Sequence, residues 1–354
     1  MRQGLWGGEA LLVAAAVACA AAARPAAAAP ADAPAVLREA AVASPKALGA
    51  ATLAVARAGT RLVAAGERGT VLLSDDAGAS WRQAKVPVQV SLTALRFVDE
   101  RTGWAAGHLG TLLKTEDGGE TWTLQLDGLR AAAAWAEALA AGDERAQRLG
   151  RRLAEEGPDK PFFDIEFVDA QRGVAVGAYG MAFATADGGR TWKTLATTLP
   201  NPKSLHLYAV RAQQGRLFIA GEQGLLLRSD DGGASFAALE SPYKGSFFGL
   251  LAARSGTLLA YGLRGNTFRS TDVGTSWQKV ETGTPVSISA AAELDGGALA
   301  LLTQAGELLA SRDDGRSFAR GGPGAAVPAA GLAATADGQL AVASLRGMRR
   351  ITLP

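Results

Sequence analysis

An aspartate–glycine turn that ends in an aromatic residue occurs six times along this chain. Its spacing constrains the fold more than any other feature. The copies read LSDDAGASW, KTEDGGETW, ATADGGRTW, RSDDGGASF, RSTDVGTSW and SRDDGRSF. Aligned on Asp76, Asp117, Asp187, Asp231, Asp272 and Asp313, they step by 41, 70, 44, 41 and 41 residues. A second marker precedes each copy, a short turn closed by glycine. It falls at Gly69, Gly110, Gly180, Gly224, Gly265, Gly306 and Gly347, which makes seven units. The seventh unit reaches Pro354 before its aspartate turn.

Each unit carries four short strand signals, in the second LTALRFVD, TGWAAG, TLLKT and TWTLQ. Alternating or continuous apolar runs of this length, bounded by turn residues, read as strands. Four strands in about 40 residues make one blade of a β-propeller. The expected fold is therefore all-β, a seven-bladed β-propeller. The last unit shows three strands. The run VLREAAVA, from Val36 to Ala43, precedes the first unit and is expected to supply the missing fourth strand. Closing the ring with this N-terminal strand removes open sheet edges.

The shared pattern is Ser/Thr-x-Asp-x-Gly-x-Ser/Thr-Trp/Phe, and it resembles the Asp-box, or BNR repeat, of sialidases and related propellers. The carboxylate accepts hydrogen bonds from its own turn. The glycine two residues on takes a positive φ. The aromatics Trp81, Trp122, Trp192, Phe236, Trp277 and Phe318 bury against adjacent strands. Six similar copies around a ring cannot all serve one substrate, so the turns are read as architecture.

Composition narrows the chemistry. The 354 residues carry a net charge of +2, which gives no electrostatic footprint for nucleic acid. One cysteine, Cys19, and two histidines, His108 and His206, leave no set of ligands for a metal site. No cofactor is expected. Residues 1–29 read as a signal peptide: Arg2, then the short apolar run ALLVAAAVACAAAA, then small residues suited to cleavage near Ala29 or Ala33. Cys19 in AVAC offers lipoprotein processing as the alternative. Residues 30–354 then form an exported propeller, periplasmic or extracellular and monomeric.

In a four-stranded blade the glycine-closed turns lie on the face opposite the aspartate turns. That face also holds the starts of the innermost strands, around the channel mouth. Ligands of propellers often bind there, an argument from fold analogy. The turns place Arg68, His108, Tyr179, Arg264 and Arg346 on this face, and the strand starts add Phe162, Asp164, His206, Tyr208 and Phe247. Arg346, Arg68 and Arg264 are assigned to blades seven, one and six, as one basic arc. The step of 70 residues marks an insertion, about 128–160, which is alanine-rich and helix-favouring. Gly142 and Asp143 divide it into a hairpin, with Asp143 as N-cap. Trp135, Arg148 and Arg152 on this hairpin complete the candidate partner surface.

FVDERTGWAAGHLGTLLKTEDGGETW (Phe97 to Trp122) and FVDAQRGVAVGAYGMAFATADGGRTW (Phe167 to Trp192) combine F-V-D, G-x-x-G and the aspartate turn at fixed spacing. This combination resembles the photosystem II stability/assembly factor-like propellers and their non-photosynthetic bacterial branch. The resemblance implies a non-enzymatic, exported, protein-binding scaffold that serves a membrane protein complex. For the bacterial branch it implies association with exporters of the resistance–nodulation–division (RND) type. The rival readings are a glycan-binding propeller and a glycoside hydrolase of the sialidase type. Hydrolysis needs two placed carboxylates, or a tyrosine nucleophile paired with a glutamate. Asp164 and Glu166 are read as pointing to opposite sides of their strand, which leaves no catalytic pair.

Overall fold

The computed structural model describes residue 1, residues 33–322 and residues 324–353. The expected signal peptide, apart from Met1, and Cys19 lie outside the described residues. The seven units form seven antiparallel sheets, each with its strands in chain order from the channel outward. The first strands are Thr52–Ala58, Leu92–Phe97, Phe162–Phe167, Leu207–Gln213, Phe247–Ala252, Ile288–Glu293 and Ala329–Ala334. Each touches the first strand of the next blade, and blade seven closes on blade one. Apolar clusters fill the seams between neighbouring blades. The chain is a seven-bladed propeller with two added helices.

The closure differs from the expectation. Among the described residues, blades one to six have four strands and blade seven has three: Ala329–Ala334, Leu340–Ser344 and Gly347–Ile351. Residues 36–43 form no strand. They run as a strap along the connection between blades one and two, where Gln89 N donates to Val36 O and Ala41 N to Val86 O. Leu37 is only 1% exposed, sunk in the core cluster of blades one and two. That pocket, with the charges of Arg38 and Glu39 beside it, outcompetes the outer edge of blade seven. The ring is closed instead where the inner strand of blade one meets the first two strands of blade seven. Thr52 Oγ1 donates to Ser344 O at 3.2 Å and accepts from Ser344 N at 3.0 Å.

All six aspartate turns share one geometry. In the first, Asp76 Oδ1 accepts from Ser74 Oγ (2.8 Å) and Ser80 N (2.9 Å), while Oδ2 accepts from Ser80 Oγ (2.5 Å). The residue after each aspartate also has a positive φ, even Ala77, Val273 and Asp314. In four of the turns its carbonyl accepts a donor from the preceding blade. Gly118 O takes Arg61, Gly188 O takes the Trp104 indole, Val273 O takes Arg228, and Asp314 O takes Arg269. These four turns therefore lock a blade to its neighbour as well as capping their own hairpins.

The carboxylate bonds set the response to acid. Ser80 and Ser276 hold Asp76 and Asp272 down to about 2, below the ordinary value near 3.9. A depressed carboxyl contributes stability above its unfolded pKa and loses it as the pH falls through the folded one. Denaturant midpoints should stay level from about pH 7 to about pH 5 and drop steeply between about pH 4 and pH 2. Midpoints that stay level throughout that acid range would contradict this role.

The glycine-closed turns connect strands two and three. In the first, Thr70 N donates to Glu67 O, and the two central residues Arg68 and Gly69 have φ of 53° and 72°. Two successive left-handed residues are what a two-residue hairpin needs. A Cβ on Gly69 would stand 2.0 Å from Val88 O, so this position takes only glycine.

The insertion forms α1 (Gly128–Ala140) and α2 (Glu144–Glu156). Asp127 caps α1 through Arg130 N, and Asp143 caps α2 through Ala146 N. Trp135 does not face a partner. It is 3% exposed and packs in the cluster that holds Leu139, Leu153 and Met181, because the apolar side of α1 is turned onto the propeller rim.

Candidate functional site: the channel mouth

Every inner strand shifts register near its start. The irregularities lie between residues 52 and 54, 92 and 94, 162 and 164, 207 and 209, 247 and 249, 288 and 290, and 329 and 331. A bulge adds one residue and turns its side chain off the regular alternation. The bulged residues are Leu53, Thr93, Phe163, Tyr208, Phe248, Ser289 and Ala330, and all seven line the channel. The mouth is thus ringed by one bulge per blade, and only blades three to five place an aromatic there. Phe162 and Phe247, expected at the mouth, are fully buried instead. The bulge exchanges each with its successor.

The aromatic arc is continuous. Tyr208 lies 5.4 Å from Phe163 and 5.6 Å from Phe248, centroid to centroid. His206 stands 6.0 Å from Tyr208 and 4.9 Å from Tyr179. His206 Nδ1 accepts from Tyr179 N at 3.0 Å. Glu222 Oε2 accepts from His206 N at 3.2 Å. Burial pushes the Tyr208 phenol up, and the Glu222 charge adds to it. Lys160 lies over the Tyr179 ring at 5.8 Å and pairs with Glu156, the last residue of α2, at 2.6 Å. The helical hairpin is therefore tied to the edge of the arc.

Below the arc the channel is charged. Asp164 accepts from Val210 N at 3.0 Å and pairs with Arg211. Glu166, fully buried, lies 2.7 Å from Arg96 Nε. Burial pushes the Glu166 carboxyl up, against the pull of Arg96 and Arg211. Asp164 and Glu166 do not point to opposite sides. Residues two apart in a strand share a face, and both carboxylates interact with Arg211. Arginines from blades two and four thus bracket them. The channel cavity is about 150 Å³, roughly half the lower limit of ordinary small-molecule pockets, about 300 Å³. Large rings at the rim and a small interior suit a ligand that lies across the mouth.

The other candidates are dispersed. Arg68 and Arg346 are exposed on the turns of blades one and seven. Arg264 is on the turn of blade five, Leu263–Gly265, and not in blade six. Blade six presents Gln304 and Ala305 there, so the three arginines do not form one arc. His108 is exposed on blade two. Arg148 and Arg152 are exposed on α2, each paired within the helix, to Glu144 at 3.2 Å and Glu156 at 2.5 Å. Of the residues singled out in the sequence, the structure joins Tyr179, His206, Tyr208 and, below them, Asp164. It adds Phe163, Phe248, Lys160 and Arg211. The bulge position recurs in each repeat, so aligning the repeats on strand one would have exposed the run Phe163, Tyr208, Phe248.

Among solved structures, YCF48 bound to D1 peptide superposes with a TM-score of 0.64 at 14% identity, covering 89% of this chain and 96% of that one. YCF48 from Cyanidioschyzon merolae gives 0.61 at 12% identity, covering 86% and 96%. A streptogramin B lyase gives 0.66 at 13% identity, covering 87% and 95%, so the same scaffold also carries an enzyme. At such identities these likenesses show the fold. In sequence, the photosystem II assembly lipoprotein Ycf48 of Synechococcus sp. (strain CC9902) is 34% identical over 76 residues. That match spans 22% of this chain and 23% of the length of the curated relative. The model of the photosynthesis system II assembly factor YCF48 family matches residues 73–140 and 153–306, on either side of the middle of the helical hairpin. This chain belongs to that family.

Proposed function

We propose that this chain is a non-enzymatic assembly or accessory factor for a membrane protein complex, and that it holds a polypeptide segment of the complex across its channel mouth. The aromatic arc of Phe163, Tyr208 and Phe248, flanked by Tyr179 and His206, is the observation that carries this reading. Rigid aromatics on bulged strands supply large contact area at low entropic cost. Family membership supports an assembly role, and one fold neighbour is a YCF48 bound to a D1 peptide. The six aspartate turns are Asp-boxes in an architectural role. Export, with processing by signal peptidase or lipidation at Cys19, fits the sequence and the lipoprotein relative. An RND-type exporter is the first candidate complex from the resemblance. Arg68, His108, Arg264 and Arg346 would form the outer rim of the contact, with Arg148 and Arg152 beside it.

The test is recovery of the complex from crosslinked, detergent-solubilised membranes by a tagged copy. The triple variant Phe163→Ala/Tyr208→Ala/Phe248→Ala should recover at least ~10-fold less partner at an unchanged melting profile. Equal recovery by the folded variant would overturn the mouth as the contact. Aromatic rings also stack on sugars, so the same arc favours glycan binding as the second reading. Glycan binding that is lost in the triple variant, with no membrane partner recovered, would replace the first reading with the second.

A further inference from the structure

Blade seven leaves the outer edge of its third strand, Gly347–Ile351, without a neighbouring strand among the described residues. In the other blades the fourth strand occupies this edge, and in four of them the residue that follows it donates to the first paired residue of strand three. Those bonds are Ala84 N to Val71 O, Leu195 N to Ala182 O, Leu239 N to Leu226 O, and Gly321 N to Leu308 O. Ladder pairing makes Met348 the equivalent of Val71, since Met348 pairs with Ala343 as Val71 pairs with Ala65. Backbone groups alternate sides along a strand. The N–H and C=O of Met348 and Arg350 therefore face outward. The short helix Pro45–Gly49 lies at the mouth end of this edge, with Leu48 O beside Gly347 and Ala47 near Met348.

The chemistry of this edge also differs from its sisters. The next position holds Leu72, Leu113, Phe183, Leu227, Phe268 or Leu309 in blades one to six, all buried. In blade seven it holds Arg349, which is exposed. Arg346 is exposed at the same edge, and among the described residues no carboxylate lies within ion-pair distance of either arginine. Arg350 pairs with Asp337 in the blade's own hairpin.

We propose that this edge takes an extended, acidic segment of a partner polypeptide as the fourth strand of blade seven. Backbone hydrogen bonds to Met348 and Arg350 would give affinity, and carboxylates facing Arg346 and Arg349 would give selectivity. The site is separate from the aromatic arc and does not depend on it; it shares Arg346 with the outer rim of the proposed mouth contact, whereas Arg349 and the outward backbone groups of Met348 and Arg350 belong to this edge alone. Lysines and arginines also blunt sheet edges against self-pairing, so the test must separate strand addition from simple charge.

The probe is a fluorescein-labelled, end-blocked decapeptide of alternating valine and glutamate, followed by anisotropy on the full chain at about 0.1 M salt. Saturable binding is expected. Arg346→Glu/Arg349→Glu should weaken it about tenfold or more. Arg350→Pro removes an outward N–H and leaves the inner ladder intact, so it should abolish binding, while Arg350→Ala should retain it. The same peptide methylated on alternate backbone nitrogens should not bind. Equal binding of the methylated peptide, or no effect of Arg350→Pro, would overturn strand addition. A dimer by light scattering that Arg350→Pro dissolves would overturn it in favour of a second copy at the edge. Binding that survives the Phe163/Tyr208/Phe248 triple variant keeps the outcome independent of the mouth.

Discussion

Trp104→Ala is expected to lower the stability of the ring by about 4 kcal/mol. Trp104 sits in the second strand of blade two and is fully buried. Its ring stacks on Phe167 of blade three at 3.5 Å and 9°. Its indole N–H donates to Gly188 O, in the aspartate turn of that blade, at 3.3 Å. The Lys114 ammonium lies 5.7 Å from the ring. One side chain therefore joins the core, the blade interface and the turn. Alanine would forfeit the transfer energy and leave a cavity whose walls are held by two sheets. Trp104→Phe keeps the stack, loses the hydrogen bond, and should recover about half of the deficit. Denaturant unfolding of the three proteins measures this; a loss under about 1 kcal/mol for the alanine variant would show that the interface closes without the ring.

Asp164→Ala should cost about 3 kcal/mol. The carboxylate accepts from Val210 N and pairs with Arg211, whose side chain is 28% exposed. Removing it leaves a mostly desolvated guanidinium and an unpaired N–H in the channel wall. Asp164→Asn keeps an acceptor for Val210 N and should cost less. The double variant Asp164→Ala/Arg211→Leu should regain part of the loss, because the stranded charge goes with its partner. A double variant as unstable as the sum of the two singles would mean the pair does not interact in the folded state.

The sequence carried the ring because its signals are local. Each aspartate turn is closed by atoms within four residues of the aspartate, and the repeat length sets the blade count. The helical hairpin was legible for the same reason, from composition and the Asp143 cap. What failed depended on parity or on contacts distant in the chain. A single bulge per inner strand exchanged Phe162 for Phe163 and Phe247 for Phe248. Asp164 and Glu166 share one face, because a spacing of two residues returns a strand to the same side. Arg264 belongs to blade five and not to blade six, one repeat away from the place the expected arc requires. Trp135 looked available because the face of α1 that meets the rim is set by tertiary packing. The closing strand was inferred from its apolar pattern. Its fate was decided by a pocket for Leu37, formed by residues far along the chain.

On the proposed function, the mouth and not the aspartate-turn face meets the partner. The most direct measurement places a photoreactive amino acid at Phe163 in one copy and at Arg190, exposed in an aspartate turn, in another. Both are irradiated in cells, and the adducts are identified from solubilised membranes. Adducts from position 163 to a component of one membrane protein complex, with none from position 190, are the expected result. Equal labelling from both positions, or labelling from 190 alone, would contradict the account.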